Sequence, residues 1–486
     1  MRPLSLLSVL AAALCLALAA PVPAAAGTAA TLPAPVLAAL QRAKLPAQAL
    51  SVVVAPASPG AQPLLAWRAD TQSNPASVMK LVTTYAALEL LGPAYTWPTT
   101  VYLDAQPVDG RLQGNVYIRG QGDPQLVVER LWLLMQRLRA QGVTVVMGDI
   151  VLDRSAFVLP THDAAAFDDE PWRPYNAAPD ALLINFKSLT LSFTPDTAAG
   201  VARIAYEPPL AGVQLPVSVA LAPAGQACGD WRAQLQPQLG DARQVAFAGS
   251  YPASCGAQQW HVAPADPGGY GARAIEAMWR EVGGALTGQV REGSVPPNLA
   301  PALTLQSPPL AEVIRSINKY SNNVMTQQLF LTMGLQDSGV GSFDGARAAL
   351  ARWWSTRIGG EPPQVDNGAG LSRDARISAD ALARMLQQAW ASPVMPELVA
   401  SLPIAGVDGT LRRRKGLAVG RAHLKTGSLR DVASLAGFVD GADGQRYVLV
   451  ALVNHEGAAG ARAALDALID WTATQGQPNT AVQARR

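Results

Sequence analysis

A long block of short alternating strands separates two helix-rich ends of this chain, and that interruption restricts its architecture more than any other sequence feature. The first helical segment covers residues 74–91, where Val78, Leu81, Val82, Tyr85 and Leu88 recur at helical spacing. Asn74 and Pro75 suit its N-cap and first turn, and Gly92-Pro93 ends it. From there TTVYLDA, RLQGNVYIRG, VVMGDIVLD, LTLSFTP, ARIAYEP and VSVALAP alternate like strands between Gly, Pro and Asp turns. Helical patterning returns at 271–283, 309–333 and 378–391. The chain closes on RAHLKTGSL, ASLAGFVDG and RYVLVALVNH, which read as adjacent antiparallel strands, followed by the helix GARAALDALIDWTATQG. This order predicts an α+β domain built from both ends of the chain and split by a β-rich insertion.

Residues 1–26 read as a secretory leader. One Arg precedes an apolar run from Leu4 to Ala20 broken only by two serines, and Ala24-Ala25-Ala26 forms a small-residue exit. The run is barely long enough to span a bilayer, and its exit favours cleavage over anchoring. Leu14, before Cys15, is too large for a lipoprotein cleavage site. Periplasmic export is therefore expected, with cleavage near Ala26. Cys228 and Cys255 are then the cysteines that remain, and an oxidising compartment should join them. A bridge closing a loop of that length stabilises by roughly 3–4 kcal/mol in the chain-entropy description. The tail TQGQPNTAVQARR has neither an apolar face nor a strong basic cluster, so membrane association is expected to be weak at most.

Balanced charge, 38 basic against 36 acidic residues with no long basic stripe, argues against a nucleic-acid partner. His162, His261, His423 and His455 are scattered without metal-ligand spacing, and two cysteines without a histidine pair make no zinc site. No metal and no cofactor are expected. His423 shares a strand face with Lys425 and reads as structural.

Only six of the basic residues are lysines, so a lysine inside a motif is informative. Two of them fall in a set of three short motifs: Ser77-Val78-Met79-Lys80, Ser321-Asn322-Asn323 and Lys425-Thr426-Gly427. Ser77 and Lys80 lie one helical turn apart on one face, within reach of each other. A serine hydroxyl needs a base, and a lysine of ordinary pKa, about 10.4, is charged and cannot serve. Burial and a second cation such as Lys425 would lower it. Ser77 also falls in the first turn, where N–H groups lack helical partners and can face an oxyanion. Ser316-Ile317-Asn318-Lys319 matches the first pattern too. Only the Ser77 assignment leaves a nucleophile helix first, a polar triplet second and a strand motif third.

These three motifs in this order are the signature shared by β-lactamases and penicillin-binding proteins. With GQGDPQL (120–126), GDIVLDRSAF (148–157), INKYSNN (317–323), DNGAGLSR (366–373), LPIAGVDGTLRRR (402–414) and HLKTGSL (423–429), the chain resembles the class C low-molecular-mass penicillin-binding proteins, the D-alanyl-D-alanine carboxypeptidase/endopeptidase family. The resemblance spans nearly the whole mature chain. It implies a penicillin-recognising transpeptidase-like domain, an antiparallel sheet flanked by helices, at 27–92 and 300–486. Two β-rich inserted domains are expected inside it, one at 93–160 and 240–299 and the other at 161–239.

Carried over, the resemblance makes Ser77 the acylated nucleophile and Lys80 its base. Ser321 would relay a proton to the leaving amine, and Asn323 would hold the substrate amide. Lys425 and Thr426 would bind the terminal D-Ala carboxylate, a task suited to a charge-assisted donor. The Ser428 N–H, one past Gly427, would complete an oxyanion hole. The substrates implied are peptidoglycan stem peptides, with β-lactam antibiotics as covalent inhibitors; carboxypeptidase and cross-link endopeptidase action both stay open. For a diaminopimelate centre next to the scissile bond, Arg373 is the expected carboxylate partner and Asp163, or second Asp168, the amine partner. Asn322 and Ala369 depart from the commonest family wording without replacing a reacting group. A β-lactamase is disfavoured, since Glu361 and Glu397 are the glutamates between Asn323 and Lys425 and neither opens a Glu-x-x-Leu-Asn segment. A non-catalytic wall-binding protein is disfavoured by the presence of Ser77, Lys80 and Lys425.

Overall fold

The computed structural model describes residues 31–476, so the leader read at 1–26 and most of the C-terminal tail lie outside the described residues. The strand Arg446–Asn454 is buried at seven consecutive positions, because both faces of its sheet are covered. It sends Val448, Val450 and Leu452 into one core and Leu449, Ala451 and Val453 into another. On one side it pairs with Val432–Asp440 and through it with Ala422–Leu429, as the alternation predicted. On the other it pairs with Leu50–Pro56, which in turn pairs with Leu65–Trp67. Both chain ends thus share one antiparallel five-stranded sheet, with Ala422–Leu429 as an edge. The helices Ala34–Arg42 and Arg462–Ala473 cover one face, and the helix Met79–Leu91, which follows Ser77, lies in the core on the other.

The helical pattern at 309–333 is two helices. Leu310–Tyr320 buries Leu310, Val313, Ile314 and Ile317 and stops at Ser321, which takes the left-handed conformation (φ 59°, ψ 37°). Asn322 then caps Asn323–Ser338, its side chain accepting the Met325 N–H at 3.0 Å. Short polar side chains at a helix junction tolerate the left-handed region and satisfy orphan N–H groups, which is why the break falls here. The helix expected at 378–391 spans Ala379–Trp390, with Ser378 as its N-cap.

The insertion builds four further sheets among the described residues, two of them large enough to organise it. In the first, Val290–Glu292, Ile150–Asp153, Val116–Arg119, Pro98–Leu103 and Pro301–Gln306 stand in that order. Its first three strands run parallel, and the helices Val128–Ala140 and Tyr270–Glu281 share its core. Val128–Ala140 escaped the strand reading although Leu131, Leu134, Met135 and Leu138 carry a helical stripe. In the second sheet, Leu189–Asp196 pairs with both Val201–Glu207 and Gln258–Val262. Phe193, Trp231 and Tyr251 cluster there beside the Cys228–Cys255 disulfide. These pairings correct two expected boundaries. Residues 258–262 belong with the second inserted sheet rather than the first, and 301–306 close the first inserted sheet rather than opening the catalytic domain. Hydrogen bonding to a distant strand, invisible in local patterning, decides both.

GQGDPQL places Asp123 where the first inserted unit meets the helix Leu310–Tyr320, to which Gln125 bonds through Ser316 at 3.2 Å. Asp123 accepts the Gln125 N–H on Oδ1 at 2.8 Å, while its buried Oδ2 has no partner among the described residues. Burial pushes this carboxyl up to about 6. A folded-state pKa above the unfolded value contributes stability that is full below about pH 4 and lost as pH rises through 6. Asp123→Asn should therefore raise Tm at pH 7.5, by up to about 3 kcal/mol in unfolding free energy, and give no gain at pH 4. A Tm series from pH 4 to 8 checks this.

Candidate active site

The turn that carries Ser77 is held in a strained shape. Ala76 has φ 47°, where a residue with a Cβ costs roughly 1–2 kcal/mol. Asn74 compensates: its Oδ1 accepts the Ala76 N–H at 2.9 Å and its Nδ2 donates to the Ser372 carbonyl at 2.8 Å. Asn454, at the end of a central strand, brackets the Asn74 backbone from both sides, accepting its N–H at 2.7 Å and donating to its carbonyl at 3.0 Å. A short 3₁₀ turn, Ala76–Val78, carries Ser77 into the helix Met79–Leu91, which is buried from Met79 to Leu88 on every face.

Lys80 is completely buried. Its Nζ lies 3.0 Å from Ser77 Oγ, 2.6 Å from Asn323 Oδ1 and 2.6 Å from the Ala369 carbonyl. A neutral amine has two N–H donors and one lone pair. Asn323 Oδ1 and the Ala369 carbonyl only accept, so they take the two donors, and the lone pair is left for the Ser77 hydroxyl proton. Burial first, and the Lys425 cation second, hold this amine well below its usual pKa. Geometry and electrostatics agree on a lysine able to act as a base.

Lys425 is equally buried and is pulled down to about 7 by that burial. Its Nζ donates to Ser321 Oγ at 2.9 Å and to the Thr426 carbonyl at 2.6 Å. The left-handed Ser321 corner and the edge strand therefore meet, linking the second and third motifs. Thr426 Oγ1 bonds Thr410 Oγ1 at 2.9 Å. Gly427 lets the strand abut the Ser77 turn: a Cβ there would lie 2.6 Å from the Pro75 carbonyl oxygen, 2.9 Å from the Ser77 nitrogen and 2.3 Å from Ser434 Oγ. Gly427→Ala should force the two apart, cutting acylation on the order of 100-fold and costing about 1–3 kcal/mol of stability. Acylation rate and Tm measured together check it.

The DNGAGLSR segment supplies what the motif reading missed. Gly370 (φ 74°) lets the loop touch the Ser77 turn, since a Cβ would sit 1.9 Å from the Ala76 oxygen. The loop's carbonyls do the bonding, Gly368 to Thr83 Oγ1 at 2.7 Å and Ala369 to Lys80. The family departure at Ala369 is thus harmless to this contact, because the backbone makes it. Nothing local in the sequence marks a carbonyl as a lysine partner.

Ser316-x-x-Lys319 is not a catalytic pair. Lys319 Nζ is committed to the Leu402 carbonyl and the Asp408 carboxylate, both at 2.6 Å, and Ser316 Oγ meets Gln125 instead. Arg373 sits at the rim, half exposed, 3.3 Å from the Asp431 carboxylate and over the Phe167 ring at 4.7 Å. Asp163 lines an adjoining cleft of about 660 Å³ with Phe167, Tyr175 and Leu371, and accepts the Ala165 N–H. Asp168 is occupied by the Tyr175 hydroxyl and Asn176 Nδ2, both at 2.7 Å, and so holds its own segment together. Burial lowers the His423 pKa, and its Nδ1 is buried without a partner among the described residues.

A model described as the D-Ala-D-Ala carboxypeptidase 3 (S13) family matches residues 32–475. The chain is 30% identical over 413 residues to a D-alanyl-D-alanine carboxypeptidase of Actinomadura sp. (strain R39), covering 80% of this chain and 74% of that one. It is 26% identical over 396 residues to the D-alanyl-D-alanine carboxypeptidase DacB of Haemophilus influenzae, covering 78% and 80%. The crystal structure of penicillin binding protein 4 (dacB) from Haemophilus influenzae shares the fold with a TM-score of 0.70 at 24% identity, covering 87% of this chain and 93% of that one. A structure of that protein complexed with a β-lactam matches with a TM-score of 0.68, also at 24% identity, covering 90% and 97%.

Proposed function

Because the chain belongs to the D-Ala-D-Ala carboxypeptidase 3 (S13) family, we propose that it hydrolyses D-alanyl peptide bonds of peptidoglycan stem peptides through an acyl-enzyme on Ser77. The observation that carries this reading is the buried Lys80 amine, 3.0 Å from the Ser77 hydroxyl with its two donors already engaged. Lys80 takes the hydroxyl proton as Ser77 Oγ attacks the D-Ala carbonyl. The oxyanion forms against the N–H groups of Ser77 and Ser428. Collapse breaks the C–N bond, and the proton passes through Ser321, beside Lys425, to the leaving amine. Water then hydrolyses the ester and returns Ser77.

Asn323 serves twice in this reading, holding Lys80 and presenting its amide to the substrate. Lys425 and Thr426 take the carboxylate of the leaving residue, Gly427 keeping the strand close enough to do so. Arg373 and Asp163 flank the opposite approach and would read a diaminopimelate carboxylate and amine. Arg373 must give up Asp431 to do this, an exchange that an exposed pair allows at little cost. A penicillin presents its strained amide to the same Ser77 and acylates it. Action in the periplasm follows if residues 1–26 direct export.

Incubation with a diaminopimelate-containing stem pentapeptide, followed by mass spectrometry, should show loss of one D-Ala, and a fluorescent penicillin should label the protein covalently. Absence of both overturns the reading. Arg373→Ala should lower kcat/KM on that peptide by roughly 30–1,000-fold while penicillin acylation stays nearly unchanged. Equal losses on both would make Arg373 a structural residue.

A further inference from the structure

The edge strand that carries the third motif has two sides. Gly427 abuts the nucleophile turn and Lys425 reaches the Ser321 corner. Strand alternation turns Thr426 and Ser428 the other way. On that side a cleft of about 660 Å³ opens between the Gly409–Leu411 turn, the strand end and the start of the helix Arg462–Ala473. Its lining includes Arg412, Arg413, Arg414 and Arg462 and no carboxylate.

Packing explains one of these arginines. Arg414 is mostly buried and forms an ion pair with Asp466. Arg462 reaches the same carboxylate only at 3.9 Å and is two-thirds exposed. Arg412 and Arg413 are exposed, and their guanidinium groups make no ion pair or hydrogen bond among the described residues. Arg462 also opens its helix, whose first turn holds no acidic residue. The helix dipole disfavours a cation there, by a few tenths of a kcal/mol to about 1 kcal/mol. One carboxylate, Asp466, thus serves Arg414 and only distantly Arg462, while Arg412 and Arg413 have none, and an excess of cations around a concave surface favours an anion.

Releasing a single D-Ala requires one carboxylate contact, which Lys425 and Thr426 already offer. A cleft of this volume lies in the size range of small-molecule ligand sites, well beyond one alanine. It starts at Thr426, which together with Lys425 holds the leaving residue's carboxylate in the reading above. We propose that this arginine-lined cleft binds the acidic peptide attached to the leaving amine, that is, the second stem peptide of a cross-link with its several free carboxylates. This rests on the peptidase reading above and deepens it by assigning where the leaving strand is held.

The test compares a cross-linked muropeptide dimer with a single-stem pentapeptide, using wild type and Arg412→Gln/Arg413→Gln/Arg462→Gln. The variant should lose about 10–100-fold in kcat/KM on the dimer, mainly through KM, while D-Ala release from the single stem and penicillin acylation change less than about twofold. Raising salt from 50 to 300 mM should increase the wild-type KM for the dimer and leave the variant's nearly flat. Penicillin acylation reports folding, and Arg412→Gln/Arg413→Gln, altering exposed side chains alone, should shift the dimer-to-monomer ratio in the same direction. Equal losses on both substrates, or no loss on the dimer, overturn the cleft assignment. A wild type that trims the single stem but leaves the dimer intact overturns it as well, with the peptidase reading standing. A wild type inactive on both and not acylated overturns that reading, and the cleft assignment with it.

Discussion

Ser77→Ala is expected to abolish covalent penicillin labelling and to reduce D-Ala release by roughly 10⁴–10⁶-fold, with Tm within a degree or two of wild type. The change removes one oxygen from a turn that other groups hold. Asn74, Asn454 and Ser434, which donates to the Pro75 carbonyl at 2.7 Å, fix its backbone. The Lys80 donors stay satisfied by Asn323 and Ala369. Loss of a catalytic nucleophile carries most of the chemical acceleration in serine hydrolases, which sets the expected size. Intact-protein mass after exposure to penicillin is the cleanest readout. A persistent adduct would refute the assignment outright, because Ser316, the competing serine in the sequence, faces Gln125 and lacks a free lysine.

Lys425→Ala should cost about 10²–10⁴-fold in kcat/KM and change the shape of its pH profile. Acylation requires Lys80 neutral, so the rate rises with pH as Lys80 loses its proton. Capture of the substrate carboxylate requires Lys425 charged, and with its pKa near 7 the free enzyme should lose rate as pH climbs past that value. Removing Lys425 deletes the descending limb. It also removes the cation that helps depress Lys80, so the ascending limb moves to higher pH. Lys425→Arg keeps a permanent cation and should delete the descending limb while retaining the depression of Lys80. A kcat/KM series from pH 5 to 10 on the three proteins distinguishes these outcomes. An unchanged ascending limb in Lys425→Ala would show that burial alone sets the Lys80 pKa.

Much of this site is legible in the sequence because its reactive groups come in short, locally structured pieces. Ser77 and Lys80 are one helical turn apart, and that spacing alone brings oxygen and nitrogen together. Lys425-Thr426-Gly427 lies in an alternating stretch whose neighbours pair in sequence order. The disulfide followed from counting cysteines, and the structure joins Cys228 to Cys255. Where the reading slipped, the deciding contact was distant or the signal was outweighed. The helix Val128–Ala140 carries a clear stripe, but the strand patterns on both sides of it outweigh that signal. The boundaries near 258–262 and 301–306 depended on partners more than sixty residues away.

What the sequence determined by itself was the inventory of chemistry: a serine and a lysine one helical turn apart, a polar corner, a lysine on an edge strand and two cysteines able to pair. These follow from bonding geometry over a few residues, which tertiary context rarely reverses. What only the tertiary structure decided was how those groups behave. The Lys80 amine is held well below its usual pKa because segments around residues 80, 323, 369 and 425 enclose it, two of them presenting acceptors at 2.6 Å. The Ser77 turn keeps its strained backbone because strands from opposite ends of the chain, Leu50–Pro56 and Arg446–Asn454, pair and bring Asn454 beneath Asn74. Desolvation and strain are properties of an enclosure. An enclosure assembled from parts hundreds of residues apart exists only once the chain has folded.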